Sequence, residues 1–159
     1  MSEPAAVPEL RLTLRRARAE DAAPMQRLAG AAYRHYIPRI GRKPAPMTAD
    51  YVRAVARGHS WVAEDGGRLV GLLVLEPERD HLLLEIVAVA PDCQGRGVGS
   101  VLLALAEEQA VALHLPEVRL YTHEAMAENL RYYPRRGYAE THRETRDGFS
   151  RVFFAKAVS

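Results

Sequence analysis

The chain has 159 residues, 48% of them apolar and 26% charged, which suits one domain with a sizeable core and excludes a wholly disordered chain. Its formal charge of +2 comes with arginines scattered along the chain rather than gathered in a block, so a nucleic-acid partner is not expected. One cysteine, Cys93, excludes an intramolecular disulfide framework and a cysteine-based zinc site.

Residues 1–9 are rich in proline and alanine and read as a flexible tail, with a single domain over 10–159. This N-terminus lacks the basic-then-apolar order of a signal peptide, and no apolar run has the length of a membrane span. A cytoplasmic protein with no membrane partner is expected. The alternation of Leu10, Leu12 and Leu14 predicts a half-buried first strand. Glu20 and Asp21 precede a helical pattern over 22–36, with Met25, Leu28, Ala29 and Ala32 on one face. Three prolines, Gly41 and the cations Arg39, Arg42 and Lys43 predict a loop over 37–47. Thr48 is the expected cap of a short helix over 48–56.

A hairpin follows, 60–64 and 68–75 around Asp65-Gly66-Gly67, and then an apolar strand over 82–90 that stops at Pro91. A long helix over 97–114 is broken by Pro116, and a short strand over 118–122 leads to a helix over 126–136. Gly137 is its natural C-cap, while Pro134 predicts a kink or a fresh helical start. Strands over 138–145 and 149–155 flank the Asp147-Gly148 turn. The order β-α-α-β-β-β-α-β-α-β-β describes one mixed α/β sheet with helices packed on it.

The strand over 82–90 runs into Gln94-Gly95-Arg96-Gly97-Val98-Gly99 and a helix, an arrangement that presents backbone N–H groups and the positive end of a helix dipole to a phosphate. A P-loop requires a lysine after the last glycine, and this chain has Ser100 and Val101 there. A dinucleotide fingerprint requires another glycine spacing and a later acidic residue, and both are missing.

That turn, following Ile86-Val87-Ala88-Val89-Ala90-Pro91, resembles the acetyl-CoA signature Q/R-x-x-G-x-G/A of the GCN5-related N-acetyltransferases, the GNAT superfamily. The stretch Asn129-Leu130-Arg131-Tyr132-Tyr133-Pro134-Arg135-Arg136-Gly137-Tyr138 is similar to the family's second conserved helix. Element order agrees over roughly residues 10–156. The resemblance implies a mostly antiparallel mixed sheet with splayed central strands and flanking helices, and acetyl-CoA as co-substrate without a metal. Gln94, Gly95, Arg96, Gly97, Val98, Gly99 and Ser100 would then receive the CoA pyrophosphate. Val87, Ala88 and Val89 would meet pantetheine at a strand bulge, the Val89 N–H polarising the thioester carbonyl. Asn129, Tyr132 and Arg136 would complete the CoA site. Many members carry the asparagine about seven residues before the tyrosine, where this chain has Met126.

Within the same resemblance, Tyr133 would protonate the leaving thiolate, with Tyr132 beside it as the other phenol. Glu85, the one acid in the apolar run, is the first candidate for the base that deprotonates the amine, and His123 the second. Tyr121 stands where some relatives place a glutamate. The acceptor site would be built by the first helices, their connection and the last hairpin, including Tyr33, His35, Tyr36, Arg39, Arg42, Lys43 and His123. A small-molecule amine or a peptide would be the acceptor, and the protein a monomer or homodimer. Three rivals stay open: a covalent route through Cys93, a non-catalytic acyl-CoA-binding module, and nucleotide binding by the glycine turn. His59, His81, His114 and His142 have no metal-ligand spacing.

Overall fold

The computed structural model describes residues 10–159, so the tail expected over 1–9 lies outside the described residues. Thirteen elements come in this order: β1 (Leu12–Arg16), α1 (Ala22–Tyr33), α2 (Ile37–Ile40), α3 (Ala45–Thr48), α4 (Tyr51–Ala56), β2 (Ser60–Asp65), β3 (Arg68–Pro77), β4 (Leu82–Val89), α5 (Val98–Ala112), β5 (Glu117–His123), α6 (Ala127–Arg135), β6 (Ala139–Arg146) and β7 (Phe149–Ala157). The seven strands form one sheet in the order β1-β2-β3-β4-β5-β7-β6. Only β4 and β5 run parallel, joined by the crossover helix α5.

Four local expectations are corrected. Residues 37–47 do not form a plain loop but carry α2 and α3, because Pro38 and Pro46 fall in the first helical turn, where a missing N–H costs nothing. Thr48 closes α3 instead of capping the next helix, and the Asp50 carboxylate takes that cap from the Arg53 N–H at 3.0 Å. The helix expected over 22–36 ends at Tyr33 and tightens into a 3₁₀ turn over 34–36. Pro134 does not restart α6; it sits in the last turn, before Gly137 at φ +91°.

The core lies on both sides of β3 and β4, where α1 packs on one face and α5 on the other. Met25, Leu72, Leu73, Leu82, Leu102 and Leu120 are fully buried there. Burying each of these side chains contributes about 2 kcal/mol. Gly71 seats the crossover helix: a Cβ there would lie 3.0 Å from both Val98 Cγ1 and Leu102 Cδ1. At the other end of the sheet, Arg15 on β1 binds Asp21 through two nitrogens, at 2.7 and 2.9 Å, and Glu64 on β2 at 2.6 Å. This partly buried ion pair fixes where α1 begins.

Two irregularities of β4 open the sheet near its centre. Its pairing with β5 stops after Leu82–Leu84 against Val118–Leu120, so the two strands part beyond Leu84. Its pairing with β3 slips by one residue, from Leu75 opposite Leu84 to Val74 opposite Ile86. The bulge therefore falls at Glu85, not at Val87 or Val89 as expected, and the extra residue is the acid itself.

Candidate active site

The glycine turn builds an anion cradle. Gly95 and Gly97 adopt φ +76° and +88°, a region that a side chain disfavours. Gly97 is the N-cap of α5 and no side chain caps it. The first intrahelical bond is the Val101 N–H to the Gly97 carbonyl, at 3.2 Å. The N–H groups of Val98, Gly99 and Ser100 thus open the helix without carbonyl partners behind them, at the positive end of the dipole. Ser100 Oγ lies 3.4 Å from the Tyr132 hydroxyl, which joins the cradle to α6.

The edge of β4 supplies a second set of backbone groups. The Ala90 N–H bonds the Val70 carbonyl on β3, and alternation along the ladder turns Ala88 toward β3 as well. The N–H and C=O groups of Val87 and Val89 therefore point away from β3, to the side that β5 has left. Two side chains already reach those carbonyls: the Tyr33 hydroxyl bonds Val87 at 2.7 Å and Gln94 Nε2 bonds Val89 at 3.2 Å. Ala88, expected beside them, pairs its backbone with β3 and has a buried side chain.

Two cavities meet at this edge. A groove of about 860 Å³ runs along Gln94, Gly95, Gly97, Gly99 and Ser100 to Tyr132 and Arg136. A recess of about 110 Å³ lies in the gap between β4 and β5, under α3 and the end of the last hairpin. Tyr33, Val87, Asn129 and Tyr133 line both, so the junction is where a groove ligand and a recess ligand touch. Arg96 and Val98 lie outside the groove wall; Val98 is buried against Gly71 and offers the groove only its N–H. Arg131 and Arg135 line the groove beside Arg136, a cationic row that the i, i+4 spacing on α6 made visible and sequence reasoning passed over.

Tyr133 is 7% exposed, and among the described residues its hydroxyl has no hydrogen-bond partner. Burial drives its pKa well above the ordinary phenol value, with Tyr33 and the neighbouring phenols adding to it, so it is fully protonated at neutral pH. Glu85 projects from the bulge into the recess and forms no ion pair among the described residues. Burial raises its pKa, Arg57 opposes that rise, and Glu76 and Glu78 reinforce it. A carboxylate so destabilised is more basic than a solvated one.

His123 lines the recess, and its Nδ1 accepts the Ala125 N–H at 2.9 Å. The neutral ring therefore carries its proton on Nε2, and burial lowers its pKa. With one nitrogen bonded and the other protonated, His123 offers a donor and not a base. Asn129 Nδ2 bonds Thr122 Oγ1 at 3.0 Å, which aims the amide at the junction from α6.

Tyr36 and Arg39, expected at the acceptor, lie away from the recess. Both line the groove rather than the recess, and both are held by Glu128 of α6: Arg39 at 2.7 Å and the Tyr36 hydroxyl at 3.3 Å. His35 also lines the groove. Arg42 instead stacks on Phe149 at 3.5 Å and donates to the Asp147 carbonyl, strapping the α2–α3 connection to the last hairpin. The recess wall contains Phe149, Arg151, Pro44 and Pro46, none of which the sequence singled out. Cys93 is 2% exposed beside the Arg68–Asp92 ion pair, and no imidazole contacts it among the described residues. No metal-binding cluster and no helix able to cross a membrane occur among the described residues.

Residues 25–138 match the Acetyltransferase (GNAT) family. The fold is similar to PaiA N-acetyltransferase from Thermoplasma acidophilum in complex with coenzyme A, with TM-score 0.78 and 18% identity over 93% of this chain and 99% of that one. It is similar to the ribosomal-protein-S18-alanine N-acetyltransferase from Escherichia coli, with TM-score 0.73 and 16% identity over 93% and 94%. It is also similar to yncA from Salmonella typhimurium with its cofactor acetyl-CoA, with TM-score 0.72 and 19% identity over 94% and 95%. No curated protein matches the chain. The chain belongs to the GNAT acetyltransferase family.

Proposed function

We propose that the protein is an acetyl-CoA-dependent N-acetyltransferase that passes the acetyl group directly to an amine. The observation that carries this reading is the junction of groove and recess at Val87 and Tyr133. Capless amides at the start of α5, the row Arg131, Arg135 and Arg136, and a volume of about 860 Å³ suit a long, phosphorylated thioester. Acetyl-CoA supplies the activated acetyl group. The unpaired N–H groups of Val87 and Val89 line the route along β4, and the Val89 N–H stabilises charge on the thioester oxygen.

Glu85 takes the proton from the incoming ammonium, directly or through a water, and leaves a free amine. The amine nitrogen bonds to the acetyl carbon, the C–S bond breaks, and Tyr133 hydrogen-bonds and protonates the departing sulfur. Before the attack Glu85 passes its first proton to solvent, so it can accept the surplus proton of the amide nitrogen, and Tyr133 recovers its own proton from solvent. Burial keeps Tyr133 protonated but also makes it a weak acid, so its larger contribution is a hydrogen bond that steadies the thiolate. The test is acetyl-CoA-dependent release of free thiol with a panel of amines. Release with at least one amine supports transfer; CoA binding with no release from any amine leaves a non-catalytic binding module.

A further inference from the structure

We infer that the acceptor is a small apolar amino acid, amine and carboxylate on one short hydrocarbon frame, and that Arg151 holds its carboxylate. The inference rests on the transferase reading above and names the substrate class of the same recess.

Arg151 lies on β7, where its register partner on β6 is Glu144 and its partner on β5 is His123. A carboxylate directly across an antiparallel pair is the natural counter-ion of an arginine. Glu144 is instead engaged by Arg146 at 3.5 Å and His142 at 3.7 Å. Arg151 turns the other way, and its guanidinium lies 4.6 Å from the centre of the Tyr121 ring, within the recess wall. No carboxylate pairs with it among the described residues. A half-buried guanidinium that forgoes its cross-strand partner keeps its planar fork for an incoming carboxylate. His123 Nε2–H stands on the neighbouring strand as a second donor.

Glu85 lines the same recess from β4, and Arg151 is not among the charges that perturb it. An acidic group and a cation thus face one cavity without pairing with each other. The β4 and β7 columns stand two strand spacings apart, about 10 Å or more, and Arg151 leans back over the strand between them. A molecule a few bonds long reaches both. The remaining wall is largely apolar, with Ile40, Pro44, Pro46, Leu84, Leu120 and Phe149. An apolar cavity of about 150 Å³ admits benzene, so one of about 110 Å³ takes a side chain of roughly four carbons. Linear polyamines fit this charge pattern poorly, because Arg151 would meet their distal ammonium groups.

The experiment compares kcat/KM by thiol release for leucine, valine and 6-aminohexanoate with leucinamide, isoamylamine and spermidine, in the wild-type protein, Arg151→Gln and Arg151→Lys. Calorimetry of leucine and leucinamide against the CoA complex runs in parallel, and CoA binding reports that each variant is folded. The expected result is a preference of about a hundredfold for amino acids over their uncharged or cationic counterparts. Arg151→Gln collapses that ratio to within about threefold of one, and Arg151→Lys recovers part of it. Equal rates for leucine and leucinamide overturn the proposal, as does a ratio that survives Arg151→Gln. If no amine releases thiol but leucine binds the CoA complex through Arg151, the carboxylate site stands and the transferase reading falls. If neither turnover nor leucine binding is seen, the carboxylate site is overturned.

Discussion

The hydroxyl of Tyr33 donates a 2.7 Å hydrogen bond to the carbonyl of Val87, tying the last turn of α1 to β4 just past the point where β5 leaves it. An unpaired strand edge in a buried gap carries polar groups that need partners. Tyr33 satisfies one of them and holds the edge where groove and recess meet. Burial pushes the Tyr33 pKa up, so the hydroxyl remains a donor throughout the physiological range. Tyr33→Phe is expected to lower unfolding free energy by about 1 kcal/mol and to raise KM for acetyl-CoA several-fold. Chemical denaturation and steady-state kinetics on the same preparation check both. An unchanged KM would separate this bond from the donor site.

Tyr133 faces the junction with its hydroxyl unengaged by the described residues. Tyr133→Phe keeps the ring against Tyr138 and Phe154, so little loss of stability is expected. The expected loss is about 10²-fold in kcat, with KM for acetyl-CoA changed less than about threefold. A loss that fell wholly on KM would make Tyr133 a binding residue only.

The raised pKa of Glu85 sets a pH dependence. The base form is the ionised one, its fraction grows as pH rises through the raised pKa, and so does kcat/KM. The acidic limb of the profile is therefore expected above the ordinary glutamate value of about 4.3. Glu85→Gln should lower kcat/KM about a hundredfold at neutral pH, with partial recovery at high pH as the amine deprotonates in solution. A variant profile parallel to the wild-type profile would move the base elsewhere.

Arg15 holds the Asp21 carboxyl below the usual carboxylate range, helped by the Arg18 N–H at 2.6 Å. Because the folded value lies below the unfolded one, this pair contributes its full stability above about pH 4 and loses it as pH falls further. Asp21→Asn is expected to cost about 2 kcal/mol at pH 7, and the gap to the wild type should narrow toward pH 3. Urea titrations at pH 7, 5 and 3 measure this directly.

What the sequence made legible was whatever a local rule enforces. Gly97 reads as a helix-opening glycine because few other residues hold φ +88°, and Glu85 stands out because an acid in an apolar strand needs a reason. Residues 37–47 were misjudged because proline marks both a loop and a first helical turn, and only packing distinguishes them. The bulge position was hidden because a register slip belongs to two strands at once. Arg39 looked like a free cation until Glu128, 89 residues away in sequence, was brought against it. Arg151 went unremarked for the converse reason: its turn from Glu144 toward Tyr121 is a tertiary choice.

The capless start of α5 and the edge of β4 together make the proposed donor site for CoA. Isothermal titration with CoA, ATP and NAD, in the wild-type protein and in Gly97→Ala, tests it most directly. Gly97→Ala forces a side chain into a φ of +88°, which costs about 1–2 kcal/mol and disturbs the cradle. CoA is expected to bind at least tenfold tighter than ATP or NAD, and about tenfold more weakly in the variant. ATP or NAD binding as tight as CoA, or CoA binding indifferent to Gly97→Ala, would contradict it.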